Sequence, residues 1–230
     1  MAITNTRQIM SNGFKFHDGP SNLDGQPIYG ILTGTQNASA NPKTGDMHQA
    51  WFLLQEMKPR AAVDQGLDTA TCGECPLRGN VCYVNLDQGP RSVWQYETDK
   101  GYGETVDYGK RDVPIRLGAY GEPTSVPFET VEKLLKGRRG HTGYTHTWRT
   151  CDPRFKTILM ASCDTDAEAL EAQAMGWRTF RVDHSETPTV NANEVRCPAS
   201  KEGGHKTTCA NCLLCAGADK VAKSVVIIEH

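Results

Sequence analysis

No apolar run in the sequence approaches the roughly 18 residues that a membrane-spanning helix requires, which argues against an integral membrane protein. Its opening, Met1-Ala2-Ile3-Thr4-Asn5-Thr6-Arg7, has no apolar core of the secretory kind, so the expected location is the cytoplasm. Excess positive charge is missing as well. The 25 Lys and Arg stand against 27 Asp and Glu, a net charge of -2, which argues against a generally basic nucleic-acid coat protein and leaves room for a local basic face. There is no internal repeat and no low-complexity tract. Cysteine, finally, is not evenly spread. Seven of nine cysteines fall in two tight clusters, and in a reducing compartment that pattern points to metal or iron–sulfur ligation ahead of a disulfide framework.

The stretch Thr71-Cys72-Gly73-Glu74-Cys75-Pro76-Leu77-Arg78-Gly79-Asn80-Val81-Cys82-Tyr83 places three thiols within eleven residues. Gly and Pro interrupt helix and strand alike, so it is expected to be a loop that presents sulfur. Near the other end, Cys197-Pro198 precedes by twelve residues Cys209-Ala210-Asn211-Cys212-Leu213-Leu214-Cys215. Successive C-x2-C steps turn the chain around the corners of a [4Fe–4S] cluster. Four thiolates also suit a tetrahedral zinc, with His205 able to replace one. The first set, spaced C-x2-C-x6-C, has only three thiols. Its fourth donor is either distant, with Cys151 or a histidine as candidates, or missing so that an iron stays open for chemistry. A single centre shared by the two loops is the third arrangement. Cys163, beside the apolar Ile158-Leu159-Met160-Ala161-Ser162, reads as a small buried hydrophobe.

The 230 residues suffice for one domain, divided into an irregular N-terminal arm or cap over 1–47, an α/β partial barrel over 48–190, and a cysteine-rich segment with a last strand over 191–230. Residues 28–32, 50–54 and 113–119 have strand length and composition. A helix follows Tyr120-Gly121-Glu122-Pro123, with Phe128, Val131, Leu134 and Leu135 on one face, Ser125 as its cap and Gly137 at its end. Residues 144–148 and 157–162 read as strands. Thr165-Asp166-Ala167-Glu168 has capping-box spacing and opens a helix with Ala167, Leu170 and Ala174 on one face. Strands over 178–182 and 221–228 complete the pattern, while 84–112, poor in aliphatics, is expected to be irregular, with Trp94 and Tyr96 covering the core. Alternating strands and helices of this kind form right-handed βαβ units. The expected fold class is α/β: a partial parallel (β/α) barrel with cysteine-rich metal-binding loops.

A three-cysteine loop after an early strand leads to a strand ending in Gly121-Glu122-Pro123 and another ending in Thr147-Trp148. Met160-Ala161-Ser162-Cys163-Asp164, a capped helix and a four-cysteine tail follow. This order, over roughly residues 48–216, resembles that of radical SAM enzymes with a C-terminal auxiliary cluster. The resemblance implies a [4Fe–4S] cluster on Cys72, Cys75 and Cys82 whose fourth iron binds S-adenosylmethionine, with Gly121, Glu122 and Pro123 against that cofactor. It implies an auxiliary cluster on Cys197, Cys209, Cys212 and Cys215. Over most of the chain the sequence is also similar to small proteins of tailed phages and their hosts. That likeness runs from Asn41-Pro42-Lys43-Thr44-Gly45 through Cys75-Pro76, Cys82-Tyr83 and Thr145-His146 to the Cys197–Cys215 tail. It implies a bacteriophage context and hence the host cytoplasm.

Other roles stay open. Glu122 is either a pocket carboxylate or a turn acceptor. His146, Trp148 and Arg149 lie where parallel α/β folds bind ligands, so Glu122, His146 and Arg149 are the candidate catalytic residues, with packing as the other reading. Lys136, Arg138, Arg139, His141, Arg149, Arg154 and Lys156, interleaved with Tyr144 and Trp148, form either a nucleic-acid-binding face or a solvated one. Two functions are therefore expected: an iron–sulfur, radical SAM-like enzyme acting on a nucleotide, nucleic acid or peptide, or a zinc-stabilised module that binds nucleic acid or a host protein without catalysis.

Overall fold

The computed structural model describes residues 11–39, 41–79, 82–103, 112–185 and 187–228. The strands are β1 (Gly13–Pro20), β2 (Pro27–Thr33), β3 (His48–Leu54), β4 (Ile115–Tyr120), β5 (His141–Thr142), β6 (Tyr144–Thr145), β7 (Met160–Cys163), β8 (Thr179–Asp183), β9 (Glu194–Arg196) and β10 (Ser224–Ile228). The helices are α1 (Pro59–Asp64), α2 (Thr69–Cys72), α3 (Gly89–Asp99), α4 (Phe128–Leu135), α5 (Asp166–Ala174) and α6 (Cys209–Cys212). One sheet runs β1-β2-β3-β4-β5 and the other β6-β7-β8-β10-β9. β1, β2 and β3 pair antiparallel. From β3 onward every pairing is parallel. The class is α/β, as expected.

Only Gly143 separates β5 from β6, so the two sheets meet along one interrupted strand. Its N–H donates to the Cys215 carbonyl at 2.9 Å and its carbonyl accepts from Met160 at 3.0 Å. A β-carbon there would stand 2.5 Å from Leu159 Cδ2, which reserves the position for glycine. The strand expected over 144–148 therefore ends at Thr145, and Trp148 turns into the core.

Strand alternation sends residues to two covered faces. Ile28, Leu32, Ala50, Phe52, Ile115 and Leu117 pack against α4 through Phe128, Val131 and Leu134, and in the same cluster lie Ala169 and Ala172 of α5. Ile31, Leu53 and Tyr120 meet Val93 and Trp94 of α3 on the opposite face. Tyr144, Met160, Phe180 and Val225 continue that face and pack against Cys197, Cys209, Leu214 and Cys215. The C-terminal cysteine segment thus covers the sheet where an ordinary α/β fold would use a helix.

Several expectations need correction. The region 1–47 is not simply an irregular arm, since Gly13–Pro20 pairs with Pro27–Thr33 in a hairpin; residues 1–10 lie outside the described set. The connection 84–112 holds α3, which starts on Gly89-Pro90, where a missing N–H costs nothing, and buries Val93 and Trp94. Ser125 does not cap α4; it sits buried in a 3-10 turn, and Pro127 precedes the helix. α5 is capped as expected, with Thr165 Oγ1 accepting from Glu168 N at 3.1 Å. Its buried face, however, is Ala169 and Ala172, and Leu170 is 67% exposed. Small residues let the helix sit close to β7 and β8.

Candidate functional site at the strand ends

Parallel strands carry their C-terminal ends to one edge, where backbone pairing stops and side chains are free to converge. Glu122 lies two residues beyond β4, and His146, Asp164 and His184 each lie one residue beyond β6, β7 and β8. They form a row. His146 Nδ1 stands 3.6 Å from Glu122 Oε1, His146 Nε2 3.8 Å from Asp164 Oδ2, and His184 Nε2 3.8 Å from Asp164 Oδ1. Glu122 Oε1 also accepts the His146 backbone N–H at 3.0 Å, which fixes the carboxylate. Glu122 Oε2, His146 Nε2 and Asp164 Oδ1 are buried without a hydrogen-bond partner. Buried polar atoms are rarely left so, and three together mark a place where a ligand or water completes the set.

The first thiol group adjoins this row. α2 ends at Cys72, so that cysteine terminates a helical turn instead of lying in a loop. The Glu122 N–H donates to the Thr71 carbonyl at 2.7 Å, tying the strand-end turn to the residue before Cys72. His146 interacts with Cys75 as well as Glu122. Burial alone would lower its imidazole, but these partners outweigh burial and raise it to about 10. Cys75 also acts on Cys72 and Cys82. Burial pushes the Cys72 thiol up to about 12. A cavity of about 110 Å³ beside this group is lined by Asp68, Cys72, Arg78, Cys82 and Tyr120. Asp68 is only 2% exposed, and its Oδ2 has no hydrogen-bond partner.

The second group gathers Cys197, just past β9, with Cys209 and Cys212 of α6 and Cys215. Leu213 adopts φ 51°, the left-handed turn that swings Cys215 back toward the others. Cys197, Cys209 and Cys212 all act on Cys215. Burial first, and these thiols with it, push Cys215 up to about 12 against the opposing Tyr144 hydrogen bond. Cys72 packs with the cluster around Ile31, Leu53 and Tyr120, and Cys197, Cys209 and Cys215 with the one around Met160 and Val225. Among the described residues, no three Cys, His, Asp or Glu side chains stand close enough, as they are, to hold a metal ion. Cys82 is exposed and Cys75 half-buried.

The remaining candidates divide. Pro123 is buried, and a β-carbon on Gly121 would fall 2.8 Å from both the Phe52 carbonyl and its Cβ, at φ 84°. Both residues pack, and of this turn only Glu122 keeps an open oxygen. Gly121→Ala is accordingly expected to lower stability by about 2–4 kcal/mol through backbone strain and overpacking, read as a urea midpoint shift. Arg149 is not in the row: it pairs with Glu168 and Glu171 of α5 and lies over the Trp148 ring. Trp148 is 2% exposed and donates to the Ser162 carbonyl, so it cannot stack on a base. Arg154 pairs with Glu129 and Asp152, and Arg139 donates to the carbonyls of Asp112 and Ala210. His141 is turned to the Ile158 carbonyl. Of the expected basic face, Arg149 and Arg154 are thus ion-paired, and Arg139 and His141 are held by backbone carbonyls. Asp164, His184 and Asp68 escaped sequence reasoning; a polar residue one step past an apolar strand was the available signal. No family model matches the chain, and no curated protein or solved structure matches it.

Proposed function

We propose that the chain is a cysteine-ligated metalloprotein, an iron–sulfur enzyme of the radical SAM-like kind on a partial parallel barrel, acting on a nucleotide, nucleic acid or peptide in a phage context. The observation that carries this reading is the strand-end row of Glu122, His146 and Asp164 with its unpartnered buried atoms, tied to the residue before Cys72 by the Glu122 N–H bond to the Thr71 carbonyl. Cys72, Cys75 and Cys82 supply the thiolate donors for a cluster, and a cluster with S-adenosylmethionine would contribute the radical chemistry when bound. The chain's own residues do the rest. Glu122 Oε2 and Asp164 Oδ1 accept hydrogen bonds from a ligand's donors, His146 holds a proton between two carboxylates, and Tyr120 and Leu86 help wall the neighbouring cavity from water.

The second group is a structural staple in this reading, because Cys197 and Cys215 are buried among Met160, Val225 and Tyr144. That same observation supports the alternative of a zinc-stabilised module without catalysis. Its nucleic-acid-binding version draws no support from Trp148 or from the paired arginines.

Protein purified without oxygen is expected to carry about eight irons with matching sulfide, the content of two [4Fe–4S] clusters, and to show a brown absorbance shoulder that S-adenosylmethionine perturbs. Cys75→Ala should remove about half of the iron and leave the C-terminal half in place. One or two zincs without sulfide would sink the enzyme reading and leave the binding module.

A further inference from the structure

The cavity of about 110 Å³ beside Cys72 is lined by two residues that each bury an unsatisfied polar atom. Asp68 stands at the N-cap of α2, where an aspartate ordinarily accepts an N–H of its own helix, yet its side chain makes no such bond. The residue is 2% exposed and its Oδ2 has no hydrogen-bond partner. Tyr120, the last residue of β4, is also buried; its Oη passes near Thr71 and Cys72 but in no hydrogen-bonding geometry, and it too is unpartnered. Buried polar atoms are seldom left so, and each one left unpaired costs stability, so a group from outside the chain is called for.

The surroundings restrict what that group can be. Arg78 Nη1 stands 3.8 Å from Asp68 Oδ1 and offsets its charge, but donates to the Gly73 carbonyl at 2.6 Å and to Thr69 Oγ1 at 3.1 Å, so it is not the missing donor. Arg60, on the same wall, is paired with Asp87 at 3.1 Å. With these charges already balanced, a cationic ligand gains no net attraction, and a neutral N–H suffices. Val63, Val84 and Leu86 supply apolar walls. The volume lies well below the roughly 300–1,000 Å³ of sites for drug-sized ligands, which leaves room for one small ring.

We propose that this cavity binds a neutral, single-ring cyclic amide, the hydrogen-bonding edge of a uracil- or thymine-type base. The ring N–H donates to Asp68 Oδ2, the adjacent C=O accepts from the Tyr120 hydroxyl, and the ring faces lie against Val63, Val84 and Leu86. Such an edge offers a donor and an acceptor side by side, which is what an unpaired carboxylate oxygen and an unpaired phenol together lack. No metal takes part, so the proposal stands or falls independently of the iron–sulfur reading above.

The test is a ligand-detected NMR titration of the full chain with uracil. Two comparison probes are 1,3-dimethyluracil, which keeps the ring and both carbonyls but has no N–H, and methylguanidinium, a cationic donor. Uracil is expected to bind with a Kd of about 0.1–1 mM, fitting for so small a ligand, and both comparison probes at least about tenfold more weakly. Asp68→Asn should weaken uracil about tenfold or more, because a bond to a charged acceptor is lost, and Tyr120→Phe about three- to tenfold. Tyr120→Phe removes a buried group that has no partner in the free protein, so its thermal midpoint without ligand should not fall below that of the wild type, which separates lost binding from lost folding. No uracil binding at about 10 mM would mean that water alone fills the cavity and would overturn the proposal. Equal binding of 1,3-dimethyluracil, tighter binding of methylguanidinium, or a uracil affinity that neither substitution changes would overturn it as well.

Discussion

Replacing Arg178 with alanine is expected to cost about 3–5 kcal/mol and to release the C-terminal thiol segment from the sheet. Arg178 is buried and, among the described residues, pairs with no carboxylate. Its guanidinium donates to the carbonyls of Leu214 at 2.8 Å, Ala216 at 2.5 Å, Ala222 at 3.0 Å and Lys223 at 2.5 Å. Leu214 and Ala216 flank Cys215, so this one side chain gathers the irregular backbone that carries the thiol. Alanine would leave those carbonyls unsatisfied in a dry site, and each such acceptor costs on the order of 1–3 kcal/mol, reduced where the segment can loosen and find water. Arg178→Lys should lose more than half of the stabilisation, because a compact ammonium cannot span the same set of acceptors. Urea unfolding, together with amide exchange over residues 209–223, checks both. For a chain of this size the loss corresponds to a fall in Tm of about 6–20 °C. A loss under about 1 kcal/mol with unchanged exchange in that segment would refute the assignment.

Arg181→Met is expected to show a comparable loss at neutral pH that narrows on acidification. Arg181 is buried, with Nη2 2.8 Å from Glu194 Oε2 and Nη1 3.0 Å from Asp183 Oδ2. Removing the guanidinium leaves two carboxylates uncompensated in the interior, a change that typically costs about 3–5 kcal/mol. In the intact chain burial alone would raise the Asp183 carboxyl, but hydrogen bonds from Ser185, Thr189 and Arg181 outweigh it and hold it far below the ordinary carboxylate range. A depressed pKa in the folded state contributes stability above the unfolded value near 3.9, and that contribution is lost as the pH falls toward the folded value. The wild type therefore loses stability in acid. The variant, no longer holding Asp183 ionised, has less of this contribution to lose. Urea midpoints at pH 7, 4 and 3 should converge, with the narrowing confined to the acid side of about pH 4; a pH-independent difference would mean that Arg181 acts only through packing.

The strongest sequence signals concerned thiols and apolar periodicity. Two-residue cysteine gaps identify residues that local chain geometry already brings near one another, so Cys209, Cys212 and Cys215 were legible without a fold. The alternation around β3, β4, α4, β7, β8 and β10 was legible for a similar reason, since burial of one or both faces imposes its period on the residues themselves. Where that imprint is weak, reading failed. α3 buries little beyond Pro90, Val93, Trp94 and Glu97, and β1 is bounded by Gly13 and Pro20, residues that usually mark the absence of a strand.

What the sequence determined by itself is the α/β alternation and the local clustering of the cysteines along the chain. Only the tertiary structure decided that Glu122, His146 and Asp164 stand in one row, that Arg178 gathers the carbonyls on either side of Cys215, and that Arg149 is held by α5. The reason is physical. A parallel sheet aligns strand ends that lie some 20 to 60 residues apart along the chain, and a guanidinium chooses among distant carboxylates, carbonyls and phenols by proximity in space, for which the local sequence carries no mark.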